Sequence, residues 1–443
     1  MMNRFSLIVV LLTLTLSVNV HATCIKVTST SSLTSELISS GYTAKSWEGA
    51  SYPHAGDLGL PGVVQLSTTD SFMPGGTLLA SSSPSFLTAA SDVAYTANQI
   101  LFRCELSDAG SLSEIYTTNA VYDYSGRYET SDIEGAYHTL IRNLAIRFTN
   151  LKTGKFFLNT WQSRELTSDD WVEDENYIYI PASAFSDITV ELFKTNSTVY
   201  TSPYAYASQL YPDSIDPALI SFRGPGLATA SIVDGASISS GYPGWPPYWP
   251  GGFSIFNKVR ITRGAMCLVK DYPSVVLLPT ISTASLNDGK SSQNTFNISL
   301  SCEDAAVSSV TKSTTSTANV AMGFLVNQST AVTAATTLGL TSTSGLTHLL
   351  DTHYGSSGVA SGVGIRLYDE SGSALNLLSS RTTATGNSGG WYAYKALTTS
   401  QGDSTDGVTT YTGNFTASLE AISGETVSAG TVNAQLQVVV SFQ

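Results

Sequence analysis

Residues 430–443 read GTVNAQLQVVVSFQ. From Leu436 the residues alternate, with Leu436, Val438, Val440 and Phe442 on one side and Gln437, Val439, Ser441 and Gln443 on the other. A period of two predicts a β-strand with one face buried. No turn and no partner strand follows it in the sequence. A closing strand with so apolar a face either lies inside its own sheet or is offered along its edge to another chain.

Working back from this strand, Val275 to Leu278, Phe296 to Cys302, Ala321 to Val326, Gly364 to Tyr368, Gly390 to Ala396 and Phe415 to Ala421 are further strand candidates. Seven short strands separated by Ser-, Thr- and Gly-rich turns predict an immunoglobulin-like sandwich over residues 259–443. No segment has the periodicity of a helix of ordinary length. Residues 23–258 also read as β structure. Cys24–Val27, Val93–Leu106, Asn143–Asn150, Phe156–Thr160, Tyr177–Ile180 and Ile188–Phe193 are strand candidates, and Lys152–Lys155 is a hairpin turn. Between the halves lies GYPGWPPYWPGG, residues 241–252, with four prolines and two tryptophans. Proline at that density excludes helix and central strand, so a linker or an exposed loop bracing a domain interface is expected there. The fold class is therefore all-β, two β-sandwich domains covering 23–258 and 259–443.

The first 22 residues read as a secretory signal peptide: Arg4, an apolar run from Phe5 to Val18, and a small-x-small site at Val20-His21-Ala22. The apolar run is too short to span a bilayer comfortably, and the HATC context of Cys24 lacks the residues of a lipid-attachment site. Export fits the four cysteines, Cys24, Cys104, Cys267 and Cys302, an even number that predicts disulfides. Three connectivities are possible, and chain order favours Cys24–Cys104 and Cys267–Cys302, each worth about 3–4 kcal/mol by loop-closure entropy. Cys/His spacing for zinc is absent. Only 12% of residues are charged and the formal net charge is −13, which argues against nucleic acid and anionic lipid as partners.

Four features of the second half, in order, resemble the pilin domains of chaperone–usher fimbriae: Cys267 near the domain start, F-x-I-x-L-x-C at Phe296–Cys302, GVGIRLYD at Gly362–Asp369, and the closing AGTVNAQLQVVVSFQ. The resemblance implies an incomplete sandwich that lacks its last strand. A periplasmic chaperone fills the groove first, and a donor strand from an adjacent fimbrial subunit replaces it after passage through an outer-membrane usher. Leu436, Val438, Val440 and Phe442 would then be core and assembly residues at once. Ordinary subunits carry a donor segment before the pilin domain; here some 235 residues stand in that place. This layout is similar to two-domain tip adhesins, and GKFFLNTWQSRELT at 154–167 looks like a set of enterobacterial fimbrial adhesins. The implied function is attachment to host cells at the fimbrial tip through a glycan or glycoprotein, with no cofactor, no metal and no catalysis. The alternative is a structural or initiating minor pilin whose first domain is a spacer.

Sugar recognition needs an aromatic face and short polar side chains around a shallow site. Thr160, Trp161, Gln162, Ser163 and Arg164 form the first candidate group. The competing reading makes Trp161 core and pairs Arg164 with the acidic run Asp169–Glu175. Tyr124, Tyr137 and His138, with Tyr122 and Asp123, form the second, and Trp47 with Glu48 and His54 the third. The acidic run and the set His348, Asp351 and His353 lack spacing specific for a metal or for paired carboxylate chemistry.

Overall fold

The computed structural model describes residues 23–51, 56–206, 208–310, 319–343, 345–380 and 386–442. The stretch read as a signal peptide, His54 and Gln443 lie outside them. The chain is all-β, with short helices at the connections.

Period-two stretches form the central strands of the first half. Leu144–Asn150 lies between Ile188–Lys194 and Ala136–Thr139. Leu78–Ser82 and Ser125–Glu129 extend the sheet on either side. The hairpin at Lys152–Lys155 returns as Lys155–Phe156 on Leu144–Asn150, with Gly154 at φ +68°. A second sheet runs Gln162–Glu165, Ser113–Thr118, Ala218–Arg223, Gly251–Phe253. A third joins Ile25–Lys26, Ile100–Glu105, Tyr177–Pro181 and Val172–Glu173. Cys24 is bridged to Cys104, and Cys267 to Cys302, as chain order favoured.

The 241–252 tract is neither a linker nor an exposed loop. Trp249 is fully buried, Tyr242 and Trp245 pack beside it with Ile115, Leu219 and Ile238, and Gly251–Phe253 joins the sheet. Two indoles give the tract enough apolar surface to fold onto the sheet although its prolines donate no ladder bonds. Arg260–Gly264, just beyond residue 258, pairs in parallel with Val63–Ser67 and antiparallel with Ser208–Leu210 of the first half. Val259 and Ile261 pack in the first core, Ala265 and Cys267 in the second.

In the second half, Ser292–Glu303 and Val408–Ala421 form a twelve-pair antiparallel ladder flanked by Cys267–Asp271 and Val363–Tyr368. The opposing sheet carries Asn319–Leu325, paired antiparallel with Gln437–Phe442 from Val320↔Phe442 to Leu325↔Gln437. The closing strand therefore forms, with Leu436, Val438 and Val440 half-buried against the core of that half. The Phe442 side chain lies outside the described set. The other face is partly covered: Val439 is buried against Ala321, Leu378 and Trp391, whereas Gln437 is exposed. Val275 to Leu278 forms no strand. Its side chains alternate all the same: Val276 and Leu278 pack inward, whereas Val275 and Leu277 are 67% and 75% exposed. The segment has the pattern of a strand and no ladder partner among the described residues.

One buried acid gives the first half a pH dependence. Asp216 is wholly buried, neither carboxylate oxygen makes a hydrogen bond, and burial pushes its carboxyl up to about 8. A folded pKa above the unfolded one means that the uncharged acid is the form the fold accepts. Stability is then full below the ordinary carboxylate range and falls as pH rises toward about 8. Asp216→Asn should unfold at a higher urea concentration than the parent at alkaline pH and lose most of that advantage in acid. Parallel losses in parent and variant across this range would refute it.

Candidate binding surface

The first candidate group lies inside the fold. Trp161 is 2% exposed and stands edge-on to Trp249, with ring centroids 5.2 Å apart. A ring enclosed in this way presents no face to a sugar, so its expected stacking role is corrected: Trp161 is core. Its neighbours are also engaged. Thr160 bridges to Ser237, Gln162 Oε1 accepts from the Leu158 N–H at 3.1 Å, and the Ser163 hydroxyl donates to Asp234. Arg164 pairs through Nε with Glu114 at 2.7 Å and through Nη1 with Asp170 at 2.8 Å.

The second group opens onto a surface of tyrosines. In extended chain, residues two apart point the same way. Tyr204 and Tyr206 accordingly stack at 5.2 Å, and Tyr122 and Tyr124, in the turn that leads into Ser125–Glu129, stack at 6.2 Å. Tyr128 stacks on Tyr200 at 5.0 Å, with the His138 ring edge-on to Tyr200 at 6.0 Å. The three stacks adjoin. Burial, then Asp213, Tyr122 and Tyr204, raise the Tyr124 phenol above its usual range; burial, then Asp123, Tyr124 and Tyr128, raise Tyr200. Tyr242, pushed up to about 12 by burial and then by Tyr122, links the stacks to the buried tryptophans. Tyr122 and Tyr206 remain 39% and 49% exposed. Polar groups stand among the rings: Asp123 pairs with Arg127 at 3.0 Å, and Arg127 lies over Tyr128 at 5.5 Å.

Tyr137 and His138 are buried supports of this surface and not contact residues. The Tyr137 hydroxyl accepts the Asn159 N–H at 3.0 Å, and His138 Nε2 is 3.1 Å from the Ser197 hydroxyl. The sequence reading does not single out Tyr128, Tyr200, Tyr204 or Tyr206. The repeated Tyr-x-Tyr spacing at 122/124 and 204/206 was the available signal.

Of the third group, Trp47 and Glu48 line a cleft of about 280 Å³ with Lys45, Asp92 and Tyr95. Trp47 is nonetheless buried, and the Lys26 ammonium, 3.6 Å from its centroid, occupies the ring face. In the acidic run, Asp170 is held by Lys152 and Arg164, and Asp174 accepts from the Tyr179 hydroxyl at 2.8 Å. Both carboxylates brace the fold.

Residues 255–443 match the family model described as Fimbrial protein. The match covers the C-terminal part of the chain, somewhat less than half of it. Among solved structures, the chain is similar to the CupB6 tip adhesin from Pseudomonas aeruginosa, with 14% identity, 90% of this chain and 96% of that one covered, and a TM-score of 0.25. It is also similar to the P pilus rod subunit PapA, at 14% identity over 40% of this chain and 99% of that one, with a TM-score of 0.23. A subunit in a structure of a chaperone–usher pilus matches at 14% identity over 40% and 87%, with a TM-score of 0.22. No curated protein matches the chain. The matched stretch holds the Cys267–Cys302 disulfide and the closing strand, whereas the tyrosine surface lies in the residues before it.

Proposed function

We propose that the chain is a two-part fimbrial tip adhesin, in which residues 23–264 bind a carbohydrate receptor on host cells and residues 265–443 join the fimbria. The boundary is set after Gly264 because Arg260–Gly264 pairs with strands of the first half. A periplasmic chaperone, then a donor strand from the adjacent subunit after transfer through the usher, complete the fimbrial domain along the edge beside Gln437–Phe442. The observation that carries the receptor reading is the tyrosine surface. Contiguous rings with a flat exposed face and polar groups at their margins suit the apolar face and the hydroxyls of a sugar. The protein is a binder and not a catalyst on this reading.

The test uses the full chain, co-produced with a fimbrial chaperone and applied as that complex to a glycan array. Binding is expected. Combining Tyr122→Ala with Tyr206→Ala should lower affinity about tenfold or more, some 1.4 kcal/mol, with the circular dichroism spectrum unchanged. A folded complex that binds no glycan would overturn the lectin reading in favour of a spacer domain or a protein receptor.

A further inference from the structure

Two arginines beside the tyrosine surface lack counter-charges. Arg263, on the Arg260–Gly264 strand, is 8% exposed. Its Nη2 donates to the Arg142 carbonyl, its Nη1 to Asn143 Oδ1 at 3.4 Å, and its Nε is buried with no acceptor. Arg142 is exposed. Its backbone N–H donates to the Tyr204 carbonyl at 2.7 Å and its Nε to the Ser202 carbonyl at 3.3 Å. Arg147, Arg164 and Arg223 each hold a carboxylate, on Glu191, Glu114 and Asp234, whereas the half-buried Arg103 rests on the Ser32 carbonyl and the Tyr177 ring. Among the described residues, neither Arg142 nor Arg263 has an acid within ion-pair distance.

Removing a guanidinium from water without an anion is costly, and a second positive charge beside it adds to the cost. Burial, and then Arg142, accordingly lower the Arg263 pKa. A chain with a net charge of −13 could readily have placed a carboxylate here. The Arg142 backbone adjoins Tyr204 and its Nε is spent on the Ser202 carbonyl, which leaves the terminal guanidinium N–H groups for a planar or tetrahedral anion.

We propose that the receptor is an acidic glycan whose carboxylate or sulfate is held by Arg142 while the sugar ring lies on Tyr204 and Tyr206. Arg263 is the positioning residue. It fixes the 142–143 turn through the Arg142 carbonyl and Asn143, and adds a second, poorly screened positive charge behind the anion. This inference rests on the reading of the tyrosine surface as a glycan platform.

The experiment measures binding of the full chain, in complex with its chaperone, to 3′-sialyllactose, 3′-sulfated lactose and unmodified lactose. One acidic probe should bind at least about tenfold tighter than lactose; the sialylated or the sulfated member identifies which anion is read. Arg142→Gln should remove that preference, and Arg142→Lys should restore part of it. Raising salt from about 0.1 to about 1 M, which shortens the screening length from about 10 to about 3 Å, should weaken the acidic probe selectively. Equal binding of all three probes, or an acidic preference that survives Arg142→Gln, overturns the acidic-glycan inference and leaves the adhesin reading standing. Absence of all glycan binding overturns both.

Discussion

Made in a periplasm that lacks a fimbrial chaperone, the full chain is expected to be degraded or to aggregate, its soluble yield falling by about tenfold or more. The cause is two incompletely covered apolar stretches in the second half. In the first, Val275 and Leu277 are exposed along a segment that has the alternation of a strand and no ladder partner among the described residues. In the second, Leu436, Val438 and Val440 reach the core but are only half-covered. The one ladder of the closing strand among the described residues is with Asn319–Leu325. Apolar stretches of this kind are attractive to any extended segment, including that of another copy. A strand supplied by the chaperone, and later by a subunit, would cover them. Residues 23–264 produced alone should remain soluble in the same cells, because their core closes on itself and on the Cys24–Cys104 bridge. A fragment ending at residue 258 loses the Arg260–Gly264 strand and should be less stable than the longer one. Comparing soluble periplasmic yields of the three proteins with and without chaperone is sufficient. A full chain that accumulates as a stable monomer without help would remove the incomplete-sandwich account.

What could be seen in the sequence was what depends on near neighbours. Alternation over 144–150, 188–194 and 436–442 gave strands because side-chain direction in an extended chain has a period of two. An even set of cysteines in an exported chain gave the two bridges. Val275 to Leu278 shows the limit of this reasoning: its pattern is that of a strand, but a strand also requires a partner, and no local pattern supplies one. The same limit explains the binding surface. Whether Trp161 points outward or inward depends on the 241–252 tract folding back over it, some eighty residues later in the sequence, to bring Trp249 edge-on. Proline content suggested a linker for that tract, and the burial of its two tryptophans overrode the suggestion. The tyrosine surface likewise assembles from residues 122–128, 200–206 and 242, which only the tertiary fold brings together.

Arg164 was a candidate ligand contact, and its replacement by alanine should instead cost about 3–5 kcal/mol of stability in the first half, the range for breaking a buried ion pair. Its Nε lies 2.7 Å from Oε2 of Glu114, a side chain with no solvent exposure. Glu114 also accepts from the Ser186 backbone N–H at 2.9 Å and from the Ser186 hydroxyl at 2.7 Å. Through Asp170 the same guanidinium ties down the acidic run, and Lys152 reinforces that carboxylate at 3.1 Å. Alanine at 164 leaves the Glu114 charge buried with only its Ser186 bonds, and the surrounding sheet cannot open to hydrate it without losing the Ser113–Thr118 ladder. Removing both partners should be milder than the sum of the single losses, because the Arg164→Leu, Glu114→Leu pair carries no uncompensated charge. Urea unfolding of residues 23–264 for the two single variants and the double variant measures this coupling. If Arg164→Ala retained full stability while abolishing glycan binding, Arg164 would be a contact residue after all, and the tyrosine surface would not account for recognition by itself. The burial of Glu114 argues for the opposite result: lost stability, with binding by the molecules that remain folded intact.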